Sequence, residues 1–324
     1  MQGRRAASQV HGRKAILSGM DILSASQFDR KRVEHVLDVA NDMRLLVNNR
    51  GASSELAGKV MVSLFLEPST RTASSFSAAM YRLGGSVLTV NEATSSAKKG
   101  ETFEDTLRVL ENYADVIVIR HPQIGAAKRA ADLVSIPVLN AGDGAGEHPT
   151  QALMDCFCMR TLKGRLDGIT MTVVGDLKFG RTIHSLAVLL ANFENVKINF
   201  VSTAGLRLPD EVKAAIKGRV KYTESLMPQL AEKIAEADVL YATRIQQERF
   251  ASVEEYLAEK GSFCISTKFL DDAGAKKDLA VLHPLPRVDE IAPSFDADPR
   301  ATYFKQVRYG VLTRMALIAE VLRS

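Results

Sequence analysis

The chain has 324 residues, 46% of them hydrophobic and 25% charged, which is the composition of a globular protein and enough for two domains of roughly 150 residues each. The formal net charge of +4 equals the four basic residues among the first 14 positions, where no acid occurs, so the rest of the chain is neutral. A neutral body without tryptophan argues against a nucleic-acid partner, and no apolar run approaches the roughly 20 residues that span a membrane.

The first predicted segment, residues 1–16, is a linker or tail. It is basic and free of acids, but it lacks a continuous apolar stretch, so a solvated linker is favoured over a transit peptide. This basic, serine-containing start resembles a linker of a longer polypeptide.

From Lys59 onward, short runs typical of strands alternate with helical patterns. The predicted strands are 59–66, 86–90, 115–119 and 136–140, and the predicted helices are 69–83, 103–113 and 126–133. The strands are apolar throughout rather than alternating, as expected when helices cover both faces of a parallel sheet. This half therefore predicts a parallel α/β domain.

A helix that begins near His148 leads into a second series of the same kind. The predicted strands are 169–176, 196–202, 237–244 and 279–286, and the predicted helices follow Gly180 and lie near 209–217 and 225–236. The last segment, 301–324, fits one amphipathic helix that packs back on the first domain. We therefore predict two α/β domains, each a parallel sheet flanked by helices: residues 17–147 with 301–324, and residues 148–300.

The stretch FLEPSTRTASSF places several hydroxyls and an arginine between a predicted strand and a predicted helix. Ser69, Thr70, Arg71 and Thr72 lie at the amino end of that helix, where free N–H groups and the helix dipole favour an anion. One hydroxyl is enough to cap a helix, so three hydroxyls and an inward-directed arginine predict a phosphate site. Because a Walker A motif is absent from the sequence, we expect the phosphate of a small molecule.

Six motifs resemble those of aspartate carbamoyltransferase catalytic chains in order and spacing. They are STRT at 69–72, RHPQ at 120–123, HPTQALMD at 148–155, VGDLKFGRTIHSL at 174–186, TRIQQERF at 243–250 and HPLPRVDEI at 283–291. The resemblance runs from about residue 17 to the end. It is strongest to the domain within the animal multifunctional pyrimidine-biosynthesis protein and nearly as clear to bacterial chains. It implies the aspartate/ornithine carbamoyltransferase fold and transfer of a carbamoyl group from carbamoyl phosphate to L-aspartate, in de novo pyrimidine biosynthesis.

The resemblance also implies which residues bind carbamoyl phosphate. They are Ser69, Thr70, Arg71, Thr72, Ser95, Lys99, Arg120, His148, Gln151, Pro284 and Leu285. Thr72, Arg120 and His148 would polarise the carbonyl and Lys99 would complete the catalytic set. Ser95 and Lys99 resemble a loop that a neighbouring subunit inserts into the site, which implies a homotrimer with shared active sites.

The position of each polarising residue has a physical reason. Arg120 follows a predicted strand and so lies at the carboxyl edge, where parallel sheets bind ligands. His148 precedes Pro149, a residue suited to the first turn of a helix, so its imidazole lies beside a positive helix end. We expect this environment to lower the pKa of His148 and keep it a neutral hydrogen-bond donor.

L-Aspartate brings two carboxylates, and an arginine fork binds a carboxylate with two hydrogen bonds. Arg181 and Arg244 are the predicted anchors, with Gln246 and Lys99 assisting. Ornithine carbamoyltransferases typically carry a cysteine where this chain has Pro284. Two alternatives remain. The chain could be a carbamoyltransferase for ornithine or another amino acid, or a non-catalytic scaffold of the same fold.

The resemblance implies neither a cofactor nor a metal. The three cysteines, Cys156, Cys158 and Cys264, are an odd number in apolar surroundings, which argues against a disulfide framework. We therefore expect a reducing compartment, the cytoplasm.

Overall fold

The computed structural model describes residues 14–91 and 100–323. It divides into two compact units: the chain up to Phe157 together with the residues from Arg308 on, and Cys158–Val307. Both boundaries lie inside helices, a little beyond the sequence-based ones. Which ligand each unit binds stays a prediction. None of the helices in the described ranges has the length and apolar character that a membrane crossing needs.

The first unit is built on a four-stranded parallel sheet. Its strands are β1 (Val60–Phe65), β2 (Ser86–Asn91), β3 (Val116–His121) and β4 (Val138–Asp143), in the spatial order β2-β1-β3-β4. Its helices are α1 (Arg30–Arg50), α2 (Thr70–Arg82), α3 (Phe103–Glu111) and α4 (Ala126–Ala131), together with parts of α5 (Pro149–Lys163) and of the last helix of the chain (Tyr303–Leu322). The prediction of a parallel α/β fold is confirmed here.

The inner strands of this sheet are buried because helices cover them. Val62, Leu64, Ile117 and Ile119 pack with Leu107 of α3 in one cluster. Fully burying an aliphatic side chain contributes about 1.5–3 kcal/mol. The core thus fixes where β1 and β3 end, and so where the residues that follow them lie.

The second unit contains a five-stranded parallel sheet. Its strands are β5 (Thr170–Val174), β6 (Lys197–Ser202), β7 (Lys221–Leu226), β8 (Val239–Ala242) and β9 (Ala280–Leu282), in the order β7-β6-β5-β8-β9. Its helices include α6 (Arg181–Leu190), α7 (Asp210–Ile216), α8 (Leu230–Glu236), α9 (Val253–Glu259) and α10 (Thr267–Asp272), and the last helix of the chain is α11 (Tyr303–Leu322). The prediction of a second parallel unit is confirmed.

Each sheet has one point at which the strand order reverses. In the first unit the chain runs outward from β1 to β2 and then returns to β3 on the other side of β1. In the second unit it runs from β5 through β6 to β7 and returns to β8 on the other side of β5. Ligands of parallel α/β sheets bind at such switch points, outside the carboxyl ends of the strands.

Strand β7 is a strand that the sequence did not predict. Its sequence, KYTESL, is polar at most positions, and its residues are exposed or half-buried because the strand lies at an edge of the sheet. The helix predicted near 225–236 consequently begins only at Leu230. Strand β9 is shorter than predicted, since Pro284 and Pro286 follow it and proline has no N–H for a ladder hydrogen bond.

Candidate functional site

The first candidate half-site lies at the switch point between β1 and β3. The turn after β1 is tied to the end of β3 by a hydrogen bond from Leu66 N to Arg120 O, 2.8 Å long. The turn carries Glu67 and leads into Ser69, the residue before α2. The hydroxyl-rich motif and Arg120 are therefore brought to the same edge of the sheet.

The amino end of α2 has no side-chain cap. The Ser69 side chain makes no capping hydrogen bond, although Ser69 O accepts a hydrogen bond from Ala73 N at 3.1 Å. Thr72 is 7% exposed. Its helical neighbour Arg71 is exposed. Its role as a phosphate ligand stays a prediction.

Arg120 is buried beside this helix end and held on two sides. Its Nη2 lies 3.0 Å from Oε1 of Glu67, and its Nη1 donates to Ala141 O at 3.2 Å. These two contacts orient the guanidinium, whose N–H donors lie in a planar fork. Glu67 was not predicted.

The amino end of α5 is the third part of the first half-site, after the amino end of α2 and Arg120. His148 is 3% exposed and stands just before the helix, where its carbonyl accepts hydrogen bonds from Gln151 N and Ala152 N at 3.1 and 3.2 Å. Gln151 is also buried, and its Nε2 donates to Oδ1 of Asp155, one turn later, at 3.0 Å. Because the amide nitrogen is used in this way, the amide oxygen of Gln151 is left as the acceptor.

The second candidate half-site lies at the switch point between β5 and β8. Asp176 follows β5, and its carboxylate accepts hydrogen bonds from Phe179 N at 2.9 Å and from Nε2 of Gln246 at 3.2 Å. Burial raises the pKa of Asp176 above its usual range, and the hydrogen bonds oppose that rise. Asp176 thus joins the turn that leads into α6 to the segment after β8.

Both predicted arginine anchors extend from these two segments. Arg181 is the first residue of α6 and is half-buried. Arg244 follows β8 and pairs with Glu248 through both terminal nitrogens of its guanidinium, Nη1 and Nη2. Nη1 lies 3.0 Å from Oε2 of Glu248. Burial favours the neutral form of Glu248, but the hydrogen bond from Arg244 keeps the pKa of that carboxyl below its usual range.

The segment after β9 holds the predicted backbone acceptors. His283 Nδ1 accepts a hydrogen bond from Leu285 N at 2.8 Å, so Nε2 carries the proton and donates to Oε1 of Glu290 at 2.7 Å. Burial lowers the pKa of His283 below its usual value. Leu285 has a φ of 57°, a conformation that is rare for leucine and found mainly where surrounding structure imposes it. Pro284 and Leu285 are therefore held in a fixed backbone arrangement.

Each predicted site residue can now be placed. The first unit carries Ser69, Thr70, Arg71, Thr72, Arg120, His148 and Gln151, of which Thr70 and Arg71 are exposed; the second unit carries Arg181, Arg244, Gln246, Pro284 and Leu285. The predicted residues Ser95 and Lys99 lie outside the described ranges.

Several residues beside these positions were not predicted: Glu67, Asp155, Asp176, Glu248 and Arg314. For two of them a signal existed in the sequence, since Asp155 and Glu248 stand four residues after Gln151 and Arg244. Glu67 and Asp176 stand just beyond the ends of β1 and β5, the edge where ligands bind.

Two successive parts of the chain match family models. Residues 20–161 match the carbamoyl-P binding domain of aspartate/ornithine carbamoyltransferases, and residues 167–321 match the Asp/Orn binding domain of the same enzymes. The aspartate carbamoyltransferase catalytic subunit of Thermococcus gammatolerans is 47% identical over 93% of this chain and 97% of its own length.

Two longer relatives are similar as well. Multifunctional protein pyr1-3 of Dictyostelium discoideum is 49% identical and multifunctional protein CAD of Squalus acanthias is 48% identical, each over 94% of this chain. The chain spans only 14% and 13% of the lengths of these two proteins.

Solved structures of similar chains share the fold. The aspartate transcarbamoylase of Trypanosoma cruzi, in complex with carbamoyl phosphate and aspartate, aligns with a TM-score of 0.89 at 40% identity, over 95% of this chain and 98% of that one. The same enzyme in complex with N-(phosphonacetyl)-L-aspartic acid aligns with a TM-score of 0.91 at 41% identity, over 96% and 98%.

Proposed function

Because the chain belongs to the aspartate/ornithine carbamoyltransferase family, we propose that it is an aspartate carbamoyltransferase. It joins carbamoyl phosphate and L-aspartate to give N-carbamoyl-L-aspartate and phosphate, a step of de novo pyrimidine biosynthesis. The observation that carries the proposal is the gathering of buried donors at the β1/β3 switch point and of half-buried arginines at the β5/β8 switch point.

In the first half-site the phosphate lies at the amino end of α2, among the hydroxyls of Ser69, Thr70 and Thr72 and beside Arg71. Thr72, Arg120 and His148 donate hydrogen bonds to the carbonyl oxygen, on which negative charge develops as its carbon becomes tetrahedral. Glu67 and Ala141 hold the Arg120 guanidinium in the orientation that this requires.

The carbamoyl amino group needs acceptors rather than donors. Gln151 supplies its amide oxygen, since its nitrogen is used by Asp155. The backbone carbonyls of Pro284 and Leu285 supply further acceptors, and the fixed backbone around His283 suits that task. In the second half-site Arg181 and Arg244 bind the carboxylates of aspartate, with Gln246 and Lys99 assisting.

The proposed reaction transfers the carbamoyl group from phosphate to the amine of aspartate. The aspartate amine attacks the carbonyl carbon to form a C–N bond, and the C–O bond to phosphate breaks. No described side chain is obviously placed as a general base, so the departing phosphate accepts the proton of the amine.

One assay tests the function. Carbamoyl phosphate is offered with L-aspartate and, separately, with L-ornithine, and each carbamoylated product is quantified. We expect carbamoylaspartate alone, because two arginines at the acceptor site suit two carboxylates and repel the second amine of ornithine. Carbamoylornithine would establish the alternative acceptor, and no product with either would favour a non-catalytic scaffold.

The finer parts of the proposal are a cytoplasmic homotrimer with shared sites and a place in a larger multifunctional polypeptide. The similarity to pyr1-3 and CAD supports the place in a larger polypeptide. Cys156, Cys158 and Cys264 form no disulfide with one another, which suits a reducing compartment. Mixing Lys99→Ala chains with His148→Ala chains tests the shared site. Some sites of a mixed trimer inherit both intact halves, so activity should return; two inactive variants that stay inactive when mixed would contradict sharing.

A further inference from the structure

Arg314, in the middle of α11, has a buried guanidinium that the mechanism above does not use. The residue is 3% exposed, and its Nη1 donates to Oγ of Ser75 at 2.8 Å and lies 3.9 Å from Sδ of Met154. The guanidinium carbon stands 5.0 Å from the centroid of the Phe76 ring. Arginine is almost never fully buried unless partners hold it, because burying its charge is costly.

The contacts of Arg314 belong to the two helices that carry the first half-site. Ser75 is one turn after Thr72 on α2, and both are buried on the same face. Met154 precedes Asp155 on α5, the residue that receives the Gln151 amide. The guanidinium therefore lies between the helix that binds phosphate and the helix that presents His148 and Gln151.

The charge of Arg314 is retained at neutral pH. Burial lowers the pKa of Arg314 to about 10; the carboxylate of Asp155 opposes this and the charge of Arg120 adds to it. Asp155 and Arg120 are thus both near enough to interact with the buried cation. A fixed positive charge behind the helix ends favours an anion in front of them.

A glycine in the same helix makes room for this arrangement. A Cβ on Gly310 would lie 2.6 Å from Sδ of Met154 and 2.9 Å from Nη1 of Arg314. Glycine is unfavourable in a helix interior, so a glycine that removes a clash with the guanidinium fits a requirement for Arg314 at this place.

We propose that Arg314 is a positioning residue of the first half-site, which joins α2 through Ser75 to α5 beside Asp155 and so keeps Thr72, His148 and Gln151 at the spacing that carbamoyl phosphate requires. The inference rests on the proposed function and adds a residue that need not touch the substrate. It acts through the two helices whose amino ends do.

The test compares Ser75→Ala, Arg314→Lys and the double variant with two controls. Ser74→Ala removes an exposed hydroxyl of the same helix, and Arg308→Lys changes an arginine of α11 that bonds the side chain of Asn48 instead. Melting curves establish folding, and kcat, the KM for carbamoyl phosphate and the Kd for inorganic phosphate by calorimetry are measured for each protein.

We expect Arg314→Lys to lower kcat/KM about 10- to 100-fold and to weaken phosphate binding, because a displacement of the order of 1 Å at a reacting group costs about that much. The double variant should be no worse than Arg314→Lys, since the two residues act as one unit. Both controls should match the wild type.

Folded Ser75→Ala and Arg314→Lys proteins with wild-type kcat/KM and phosphate affinity would overturn the inference, as would effects that simply multiply in the double variant. If Arg314→Lys does not fold, Gly310→Ala decides, because its methyl group clashes with both Sδ of Met154 and Nη1 of Arg314 and so disturbs their contact while the charge stays. A wild-type protein without carbamoyltransferase activity would contradict the proposed function, whereas the phosphate affinities would still decide the role of Arg314.

Discussion

The two half-sites share one feature, an arginine paired with a glutamate, but they differ in how far this pair is exposed to solvent. Each places an arginine at the switch point of a parallel sheet and pairs it with a glutamate, Arg120 with Glu67 and Arg244 with Glu248. In the first pair the side chains are 11% and 23% exposed, and in the second they are 24% and 54% exposed.

The difference in exposure determines what each half-site can contribute. A buried donor is oriented before the ligand arrives and acts where water screens little, so its hydrogen bond to developing charge is strong. A half-exposed arginine works against water and dissolved ions, which suits binding of an acceptor more than stabilisation of a transition state. We therefore assign carbonyl polarisation to the first half-site and carboxylate recognition to the second.

Replacing Arg120 should have the largest effect. Arg120→Ala removes a buried donor to the carbonyl oxygen, and we expect kcat to fall about 10²- to 10³-fold, as for loss of one preorganised donor. The control is Arg129→Ala, which removes an arginine of the same unit that pairs with Glu104 but is 47% exposed. Steady-state rates of carbamoylaspartate formation give the comparison, and an equal loss in both variants would contradict the assignment.

Replacing Arg244 should have the next largest effect, and it should change the KM for aspartate more than kcat. Arg244→Ala removes a charge-assisted bidentate contact, so we expect the KM for aspartate to rise about 10- to 100-fold with a smaller change in kcat. The exposed Arg207 provides the matched control, because it belongs to the same unit and lies beyond β6. A fall in kcat as large as that of Arg120→Ala would remove the distinction between the two half-sites.

Salt should separate the half-sites in the unmodified protein. Between about 0.05 and 0.5 M KCl we expect the KM for aspartate to rise several-fold and kcat to change less, since the carbonyl donors Thr72, Arg120 and His148 are buried and exposed charges are screened most. Initial rates at a series of salt concentrations measure both constants. A fall in kcat as large as the rise in the KM for aspartate would show that burial does not distinguish the two sites.

The smallest effect concerns stability and pH. Burial lowers the pKa of His121 in the first unit and of His184 and His283 in the second. Their folded pKa values lie below the unfolded value of about 6.5, so the unfolded chain binds more protons as the pH falls. The stability that they contribute is complete above that pH and is lost on acidification below it.

Each histidine can contribute a slope of at most about 1.4 kcal/mol per pH unit. His184→Gln retains a donor for the carbonyl of Leu177 but cannot titrate. Denaturant unfolding at several values between about pH 7.5 and 5.5 should show that the unfolding free energy of this variant falls less steeply with acidification than that of the wild type. An unchanged slope would contradict the account of His184.

The sequence predicts the sheets well where strands are apolar and buried, as β1 and β3 are. It fails for β7, because an edge strand covered by few side chains needs no apolar run, and KYTESL has none. The sequence pattern also shows which residues stand at the amino end of a helix, but it does not show which of them are buried. Thr72 is buried, whereas its neighbour Arg71 is exposed.

The motifs predict the substrate-facing residues, whereas the residues that hold them in place depend on tertiary structure. Glu67 and Arg120 are 53 positions apart, and Ser75 and Arg314 are 239 apart. No local periodicity connects such pairs. Only the fold, which brings α11 beside α2, shows that a buried arginine stands behind the predicted phosphate helix.

Calorimetric titration with carbamoyl phosphate in the absence of aspartate tests most directly whether the first unit carries a preformed site. We predict binding to the wild type, at least about 10-fold weaker binding to Arg120→Ala and nearly unchanged binding to Arg244→Ala, because only Arg120 belongs to that site. Equal weakening by the two substitutions, or no binding until aspartate is added, would contradict this account.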